Sequence, residues 1–384
     1  MQWPTGVLDI LSRLEGAGFE AWAVGGCVRD ALMGRIPSDW DVCTRALPAE
    51  MKGALQGLRI IETGLPHGTL TVLSPQPVEV TTYRVDGDYS DHRRPDKVRF
   101  VPDLVEDLSR RDFTMNAMAM HPERPLCDPF GGRADIEAKL VRCVGAPEHR
   151  FREDALRMLR CLRFAAQLDF AVEEGTARAL EKAWPTLFHV SRERIGAEYL
   201  KLIVGPGAGR VIKQFHTQVD AISPIREDME PHILDALPRE PGVRMGYLLK
   251  NADCLPGLRL PNRLIRRVRT LLDLRSRPLP DSPYALKRLL SQVGEEAVRD
   301  LCALPEGQAL MPMLEDLLSA GACFSLRDLA LRGSDLDALG LQGPAVGKTL
   351  RALLDEVMAG RLPNQREALL EAALSLRSGP DSQG

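Results

Sequence analysis

None of the eight cysteines (Cys27, Cys43, Cys127, Cys143, Cys161, Cys254, Cys302, Cys323) belongs to a Cys-x-x-Cys pair, so a structural zinc site has no support. No stretch approaches the ~18 uninterrupted apolar residues of a membrane-spanning helix. The start, Met1-Gln2-Trp3-Pro4, lacks a basic segment leading into an apolar run, so no signal peptide is expected. The cysteines sit among apolar neighbours and read as small buried hydrophobes of a reducing compartment, which points to the cytoplasm. A global charge signature is missing too. Fifty Lys and Arg against 53 Asp and Glu give a formal net charge of −3, although a local basic stripe can be offset elsewhere in a long chain. Internal repeats and low-complexity tracts are absent. What remains is a 384-residue chain, 44% hydrophobic and 27% charged, with the balance of a soluble globular protein and the length of two or three domains.

Val7, Leu8, Leu11 and Leu14 recur at helical spacing behind Thr5, and a short strand from Phe19 to Val24 ends at Gly25-Gly26. A second strand centres on Trp40 to Val42. Gly68–Leu73 and Val78–Tyr83 read as a hairpin turned by Ser74-Pro75-Gln76-Pro77. These elements describe a small α+β head, residues 1–137. Beyond about residue 150 the pattern is helical: Ala155–Leu168, Thr176–Ala183, Arg192–Ile203 and Ala208–Gln214. More helices follow Pro224, interrupted by proline-rich joints near 237–241, 255–261 and 278–283. The expected fold is therefore α+β: a head, an all-helical neck over 138–215, and an all-helical body and tail over 216–384. The segment from Ser378 reads as a frayed end.

The chemistry centres on Asp39-Trp40-Asp41. On a strand, residues two apart face the same way, so the two carboxylates converge while Trp40 turns into the core. Oxygen ligands so placed suit Mg²⁺, and a two-metal site activates an attacking hydroxyl while stabilising a leaving pyrophosphate. Alone the pair is weak evidence, since solvated acidic pairs are common. Glu79, between Val78 and Val80, would face away from the valines and stand as a third carboxylate; taken by itself it reads equally as an exposed strand glutamate. Upstream, Gly25-Gly26-Cys27-Val28-Arg29-Asp30 is a strand end turning into a helix. Backbone N–H groups at Gly26 can approach a phosphate, and Arg29 can add a charge-assisted contact.

These residues carry a resemblance. Gly25 to Asp30 followed by Asp39-Trp40-Asp41 resembles the signature of the class II tRNA nucleotidyltransferase and bacterial poly(A) polymerase family, within the polymerase-β-like superfamily. Arg110-Arg111-Asp112-Phe113-Thr114-Met115-Asn116-Ala117 resembles that family's second motif, with Asp112 and Asn116 expected on one helix face. The resemblance implies that Asp39 and Asp41 bind Mg²⁺, that Arg111 contacts the nucleotide phosphates, and that Asp112 contacts the ribose. Phe151 to Arg160 contains Asp154 and Arg157, three apart and so expected on one helix face, with Arg160 and Arg163 continuing the row. Three arginines in a row also read as a solvated face.

Beside a transfer site, that pair acquires a task. The Watson–Crick edges of cytosine and adenine each show an amino donor next to a ring-nitrogen acceptor; uracil and guanine show a carbonyl and an N–H there. An Asp acceptor beside an Arg donor suits C and A, and unpaired buried polar groups against U or G cost about 1–3 kcal/mol each. The resemblance assigns this role to Asp154 and Arg157, with Arg160 and Arg163 supporting the nucleotide. Ser191 to Glu198 is similar to the family's helical brace, with Ser191 as its cap.

The implied activity is template-independent addition of CCA to the 3′ end of tRNA from CTP and ATP. tRNA is then the partner, held at its acceptor stem and 3′ end; neither DNA nor a membrane is expected. The stretch from Tyr83 contains an Asp-x-Arg-Arg-Pro core at Asp91 to Pro95, which in this family accompanies addition of the terminal A. It argues against a CC-only enzyme and leaves A-only addition open, with poly(A) polymerase as the remaining relative. Arg259, Arg263, Arg266, Arg267, Arg269, Arg275 and Arg277 read as contacts to acceptor-stem phosphates or as a solvated helix face. Gly343 to Thr349 resembles a phosphate loop but is one residue short between its glycines, and position 342, where the first glycine belongs, is Gln; it reads as a turn before a helix.

Overall fold

The structure is a computed structural model that describes residues 3–64, 67–86 and 98–377. The loop core Asp91 to Pro95 and the end from Ser378 lie outside the described residues. Two compact units emerge. The first runs to Pro224 and takes in Glu230–Asp235 and Cys254–Leu260; the second comprises Ile225–Met229, Ala236–Asp253 and the chain from Pro261.

In the first unit, α1 (Thr5–Gly16) precedes β1 (Ala21–Val24), α2 (Gly26–Leu32), β2 (Trp40–Thr44) and α3 (Pro48–Ala54). Strands β3 (Arg59–Gly64), β4 (Thr69–Ser74) and β5 (Gln76–Thr82) follow, and the sheet is completed by β8 (Ala119–Met120) in the order β3-β4-β5-β2-β1-β8. Only β2 and β5 run parallel; the other pairs are antiparallel. A separate ribbon pairs β6 (Arg84–Asp86) with β7 (Val98–Phe100), ahead of α4 (Leu104–Ser109). The hairpin expected around residues 74–77 is tighter than the sequence reading, with Ser74 paired to Gln76 across Pro75. Strand β3 and helix α3 were not anticipated.

Alternation places the core on both faces of the sheet. Ala21, Ala23, Trp40, Val42, Val78 and Val80 turn toward Val7, Ile10, Leu11, Leu14 and Met51 of α1 and α3. Trp22, Val24 and Cys43 turn the other way, toward Tyr83, Leu104 and Leu108. With both faces covered, all four residues of β1 are buried. Each fully buried Leu or Ile side chain contributes about 1.5–3 kcal/mol, and α1 alone supplies three such residues, Ile10, Leu11 and Leu14.

Helix α5 (Gly132–Glu137) and strand β9 (Leu140–Val141) lead into α6 (Pro147–Glu153), α7 (Leu156–Leu168), α8 (Glu174–Ala183) and α9 (Arg192–Ile203). The neck segment is not wholly helical: β10 (Ala171–Val172) pairs in parallel with β9. Two residues per strand are too few for a recognisable alternation, so no pattern in the residues announces the pair. Ser191 occupies the position before α9 but its side chain makes no capping hydrogen bond.

The second unit is helical, with Pro241–Leu248, Asn262–Arg275, Pro283–Val293, Glu295–Ala303, Met311–Ser319, Pro344–Met358 and Arg366–Arg377 as its longer helices. Pro241, Pro283 and Pro344 each open a helix, where a missing N–H costs nothing. The joints read from the sequence are therefore helix starts as well as breaks. Leu331, Leu336, Leu353, Leu354 and Leu369 form a core there. Among the described residues, no helix is long and apolar enough to cross a membrane.

Gly132 fixes how α5 meets the turn at Thr114–Asn116. A Cβ at this position would lie 2.2 Å from the Thr114 carbonyl oxygen, and the contact is clasped by the Thr114 hydroxyl donating to Asp135 at 2.6 Å. Gly132→Ala is expected to destabilise the protein by about 1–3 kcal/mol, read from urea unfolding. An unchanged midpoint would show that the two segments can part freely.

Candidate active site

The acidic edge follows from register. Asp41 pairs with Val24 on one side and Glu79 on the other, so Glu79 stands directly beside Asp41 on adjacent parallel strands. Val78 and Val80 point into the core under α1, which turns Glu79 to the face that Asp41 shares with Cys43. Asp39 lies just before β2, exposed, and accepts the Ser38 hydroxyl at 3.1 Å. Burial, then the charges of Glu79 and Asp39, push the Asp41 carboxyl up to about 6 against the opposing pull of Arg111. Both burial and like charge disfavour the ionised form. Among the described residues no three His, Cys, Asp or Glu side chains are grouped closely enough to hold a metal unaided. Two hard carboxylates and the phosphates of a nucleotide make the usual Mg²⁺ donor set, and Asp39 with Asp41 fit it.

The adjoining cavity, about 500 Å³, is basic. Of the sequence-selected residues, all but Asp39 and Glu79 line it: Gly26, Arg29 and Asp41 from the strand–turn–helix, Arg111 and Asp112 from the segment after α4, Asp154 from the joint before α7, and Arg157, Arg160 and Arg163 from α7. A larger cavity of about 870 Å³ lies among Trp3, Ile36, Trp40 and Pro77, with Arg35 as its one titratable group. It has neither the carboxylates nor the convergent cations, so the smaller cavity is the chemical one.

Gly25 makes room for Arg111. Its φ is +81°, and a Cβ there would stand 2.9 Å from Arg111 Nη1 and 3.9 Å from Asp41 Oδ2. Arg111 is steadied by Asp107, 3.4 Å from its Nη2, while its Nε–H is buried with no acceptor among the described residues. Asp107 is fully buried and also accepts Arg110 at 2.8 Å and the Arg84 backbone N–H at 3.2 Å. Burial would raise its carboxyl, but Arg110 and Arg111 outweigh it and hold it below the usual range. Sequence reading passed over Asp107, although its spacing of three and four before Arg110 and Arg111 is the helical ion-pair signal.

Asp112 is the hub of the cavity. Its Oδ2 accepts Arg160 Nε at 2.9 Å and Nη2 at 2.5 Å; its Oδ1 accepts the Phe113 N–H and Asn116 Nδ2 at 2.9 and 3.2 Å. Asn116 Oδ1 in turn accepts Arg29 Nη1 at 2.9 Å. Burial opposes ionisation, yet Arg160 and these hydrogen bonds hold the Asp112 carboxyl down to about 2. The expected Asp112–Asn116 contact is present, on a 3₁₀ turn over Thr114–Asn116 rather than an α-helical face.

Asp154 and Arg157 require a correction. They do not share a helix face, because Asp154 lies between α6 and α7 in extended backbone (φ −137°, ψ 106°). Its Oδ1 accepts the Leu156 N–H at 3.0 Å, and its Oδ2 accepts Arg194 at 2.8 Å. The sequence reading began the helix at Ala155, one residue early, yet counted Asp154 on its face, whereas Asp154 caps it from outside. Arg157, in the first turn, pairs through Nη1 with Glu153 at 2.5 Å and donates through Nη2 to the Arg110 carbonyl at 3.1 Å. Arg163 pairs with Glu198 at 2.5 Å, and burial lowers its pKa. Phe164 also lines the cavity, and nothing in its spacing announced it.

The raised Asp41 carboxyl yields a prediction. In metal-free protein the folded state holds this proton up to about pH 6, whereas the unfolded chain releases it near 3.8. Stability contributed by the protonated form is complete below the lower value and lost as pH rises through 6. Asp41→Asn should therefore raise stability in EDTA at pH 8 by about 1–2 kcal/mol and leave it little changed at pH 4. A variant less stable than wild type at pH 8 would contradict the origin given for the shift.

The comparisons with known proteins agree in direction. The family described as "Poly A polymerase head domain" matches residues 21–142, "Probable RNA and SrmB- binding site of polymerase A" matches 169–217, and "tRNA nucleotidyltransferase domain 2 putative" matches 242–373. A CCA-adding enzyme of Lacticaseibacillus paracasei is 36% identical over 96% of this chain and 96% of its own. The crystal structure of the Bacillus stearothermophilus CCA-adding enzyme in complex with CTP superimposes with a TM-score of 0.81 at 31% identity, covering 98% of both chains. The Thermotoga maritima CCA-adding enzyme complexed with tRNA shares the fold, with a TM-score of 0.70 at 19% identity over 98% of this chain and 97% of that one.

Proposed function

This chain belongs to the CCA-adding enzyme family, and on that premise we propose that it adds CCA to the 3′ end of tRNA from CTP and ATP without a nucleic-acid template. The observation that carries the reading is one cavity in which Asp41 of the acidic sheet edge, an arginine cluster and the Asp154–Arg157 pair meet. The terminal ribose oxygen of tRNA attacks the α-phosphorus of the nucleotide, the bond to the β-phosphate oxygen breaks, and pyrophosphate leaves.

We assign Asp39 and Asp41 as the metal-holding residues, with Glu79 completing the acidic edge, and Mg²⁺ as the ion. Magnesium held there would supply the Lewis acidity that favours deprotonation of the attacking hydroxyl and neutralises the leaving group. The Gly26 backbone, Arg29 and Arg111 bind the triphosphate; the unpartnered Arg111 Nε–H is a donor suited to a phosphate oxygen. Asp112 and its partner Arg160 hold the sugar.

Base choice falls to Asp154 and Arg157, and their supports leave the required atoms available. A carboxylate offers about four acceptor positions, and Asp154 uses two, for Leu156 N–H and Arg194. Arg157 has five N–H donors; Nη1 is committed to Glu153 and the Arg150 carbonyl, and Nη2 gives one hydrogen to Arg110. Nε–H and one Nη2 hydrogen remain. An acceptor beside a donor matches the amino group and ring nitrogen of C and A.

Within the same reading, residues 1–137 are the catalytic head, 138–215 the base-reading neck, and 216–384 the tRNA-binding body and tail. The arginine run sorts itself. Arg267 is spent on Asp300 at 2.6 Å, Arg275 on the carbonyls of Gly246, Tyr247 and Leu249, and Arg277 pairs with Asp273. Arg266 and Arg269 are exposed and have no hydrogen-bond or ion-pair partner among the described residues, which makes them the phosphate contacts of choice.

Two measurements test the proposal. Purified protein with Mg²⁺, CTP and ATP should extend a transcript lacking the whole CCA end by CCA and then stop, and Asp39→Ala should abolish incorporation while sparing tRNA binding. Extension of only a CC-ended transcript by one A, or long A tails, would replace the reading by A-only addition or poly(A) synthesis. In single-nucleotide assays, Asp154→Ala and Arg157→Ala should each erode the preference for CTP and ATP over UTP by about tenfold or more. Unchanged discrimination in both would remove the base-reading assignment.

A further inference from the structure

Three guanidinium groups of the cavity converge on one phenyl ring. The Arg163 guanidinium carbon lies 3.7 Å from the centroid of Phe164, that of Arg29 at 5.2 Å and that of Arg160 at 5.5 Å. The ring is buried, 6% exposed, and its position is fixed by an edge-on contact with Phe113 at 5.7 Å and 81°. Arg29 comes from α2 and the other two from α7, so the ring joins the head's phosphate-side turn to the helix that starts at the base-reading pair.

Each arginine has an acidic partner of its own, Asp30 for Arg29, Asp112 for Arg160 and Glu198 for Arg163. What they share is the ring. Three like charges placed together repel, and the occupant of that shared position decides whether they stay. A carboxylate would hold them but would compete with the nucleotide for their hydrogens. An alkyl side chain would offer no attraction. The face of a phenyl ring carries negative electrostatic potential without any hydrogen-bond acceptor, so it attracts all three cations without taking up any of their N–H groups.

We infer that Phe164 is a positioning residue for the nucleotide, its ring holding Arg29, Arg160 and Arg163 together for phosphate and sugar binding. The inference rests on the assignment of this cavity as the CTP and ATP site. It concerns affinity for the nucleotide as a whole. Base choice belongs to other side chains, so both nucleotides are affected alike.

The test replaces Phe164 in the full-length protein by phenylalanines of increasing fluorination, mono-, tri- and pentafluorinated, through site-specific incorporation. Fluorine drains the negative face while nearly preserving the shape of the ring and keeping it apolar. Dissociation constants for CTP and for ATP, measured by calorimetry in Mg²⁺, are expected to rise stepwise by about tenfold in all, with melting temperatures held or raised. Phe164→Leu should weaken both nucleotides comparably, Phe164→Tyr should remain within about twofold of wild type, and the preference for CTP and ATP over UTP should persist. A flat series with wild-type affinity throughout overturns the inference, as does a loss of affinity that merely tracks a falling melting temperature. Wild-type protein that binds neither CTP nor ATP would overturn the reading of the cavity itself.

Discussion

Everything in this site depends on keeping several guanidinium groups together around a space meant for something else. Arg29, Arg111, Arg157, Arg160 and Arg163 all line one cavity of about 500 Å³. Like charges at such range repel strongly where water is scarce. The fold answers with carboxylates placed behind the arginines: Asp107 behind Arg110 and Arg111, Asp112 behind Arg160, Glu153 behind Arg157, Glu198 behind Arg163. Asp107 and Asp112 are both buried, and both are kept ionised by the arginines they serve. Burial without those cations would drive both carboxyls toward neutrality, and the cluster would lose its counter-charges together.

The same residue type does the opposite elsewhere in this cavity. Asp41 is also partly buried, but its neighbours are Glu79 and Asp39, so its carboxyl is raised instead of lowered. Environment alone separates the two behaviours. An aspartate with arginines around it becomes a fixed scaffold anion, while an aspartate with acids around it becomes a site that gains by binding a cation. The sheet enforces this division, because the parallel pairing of β2 and β5 sets Glu79 against Asp41, and the turn at Gly25 brings Arg111 to the other side of the same carboxylate.

Much of this was legible in the sequence, and the reasons are local. Strand alternation turned Asp41 away from Trp40, and Glu79 away from Val78 and Val80, whereas Asp39 lies just before β2 and outside the cavity. Ordered motifs pointed to Arg111, Asp112, Asp154 and Arg157 before any coordinates. The losses were of three physical kinds. Strand β3 contains Glu62 and Thr63 and ends at Gly64, so it lacked the apolar alternation that reveals a strand. The end of α6 and the start of α7 merge in a sequence of good helix formers, and only the backbone shows that Asp154 stands between them. Asp107 and Phe164 act through other residues, and long-range contacts such as Phe164 with Arg29 leave no periodic trace.

In the proposed base-reading role, the placement of Asp154 outside α7 bears on how a base is read without a template. A template base is held rigidly by stacking and by its strand; a side chain that imitates its edge must be made comparably stiff. On a helix face, an aspartate would swing through its rotamers with only solvent to restrain it. Capping the helix instead ties one carboxylate oxygen to the Leu156 N–H, and Arg194 ties the other from α9. Arg157 is pinned in the same manner, by Glu153 on one nitrogen and a main-chain carbonyl on the other. In the proposed role each anchor leaves a lone pair or a hydrogen on these groups for the base, so rigidity is gained without exhausting the donors and acceptors that would do the reading. A mismatched base would then find no soft partner to reorient toward it, and the unpaired groups it buried would count in full against its incorporation.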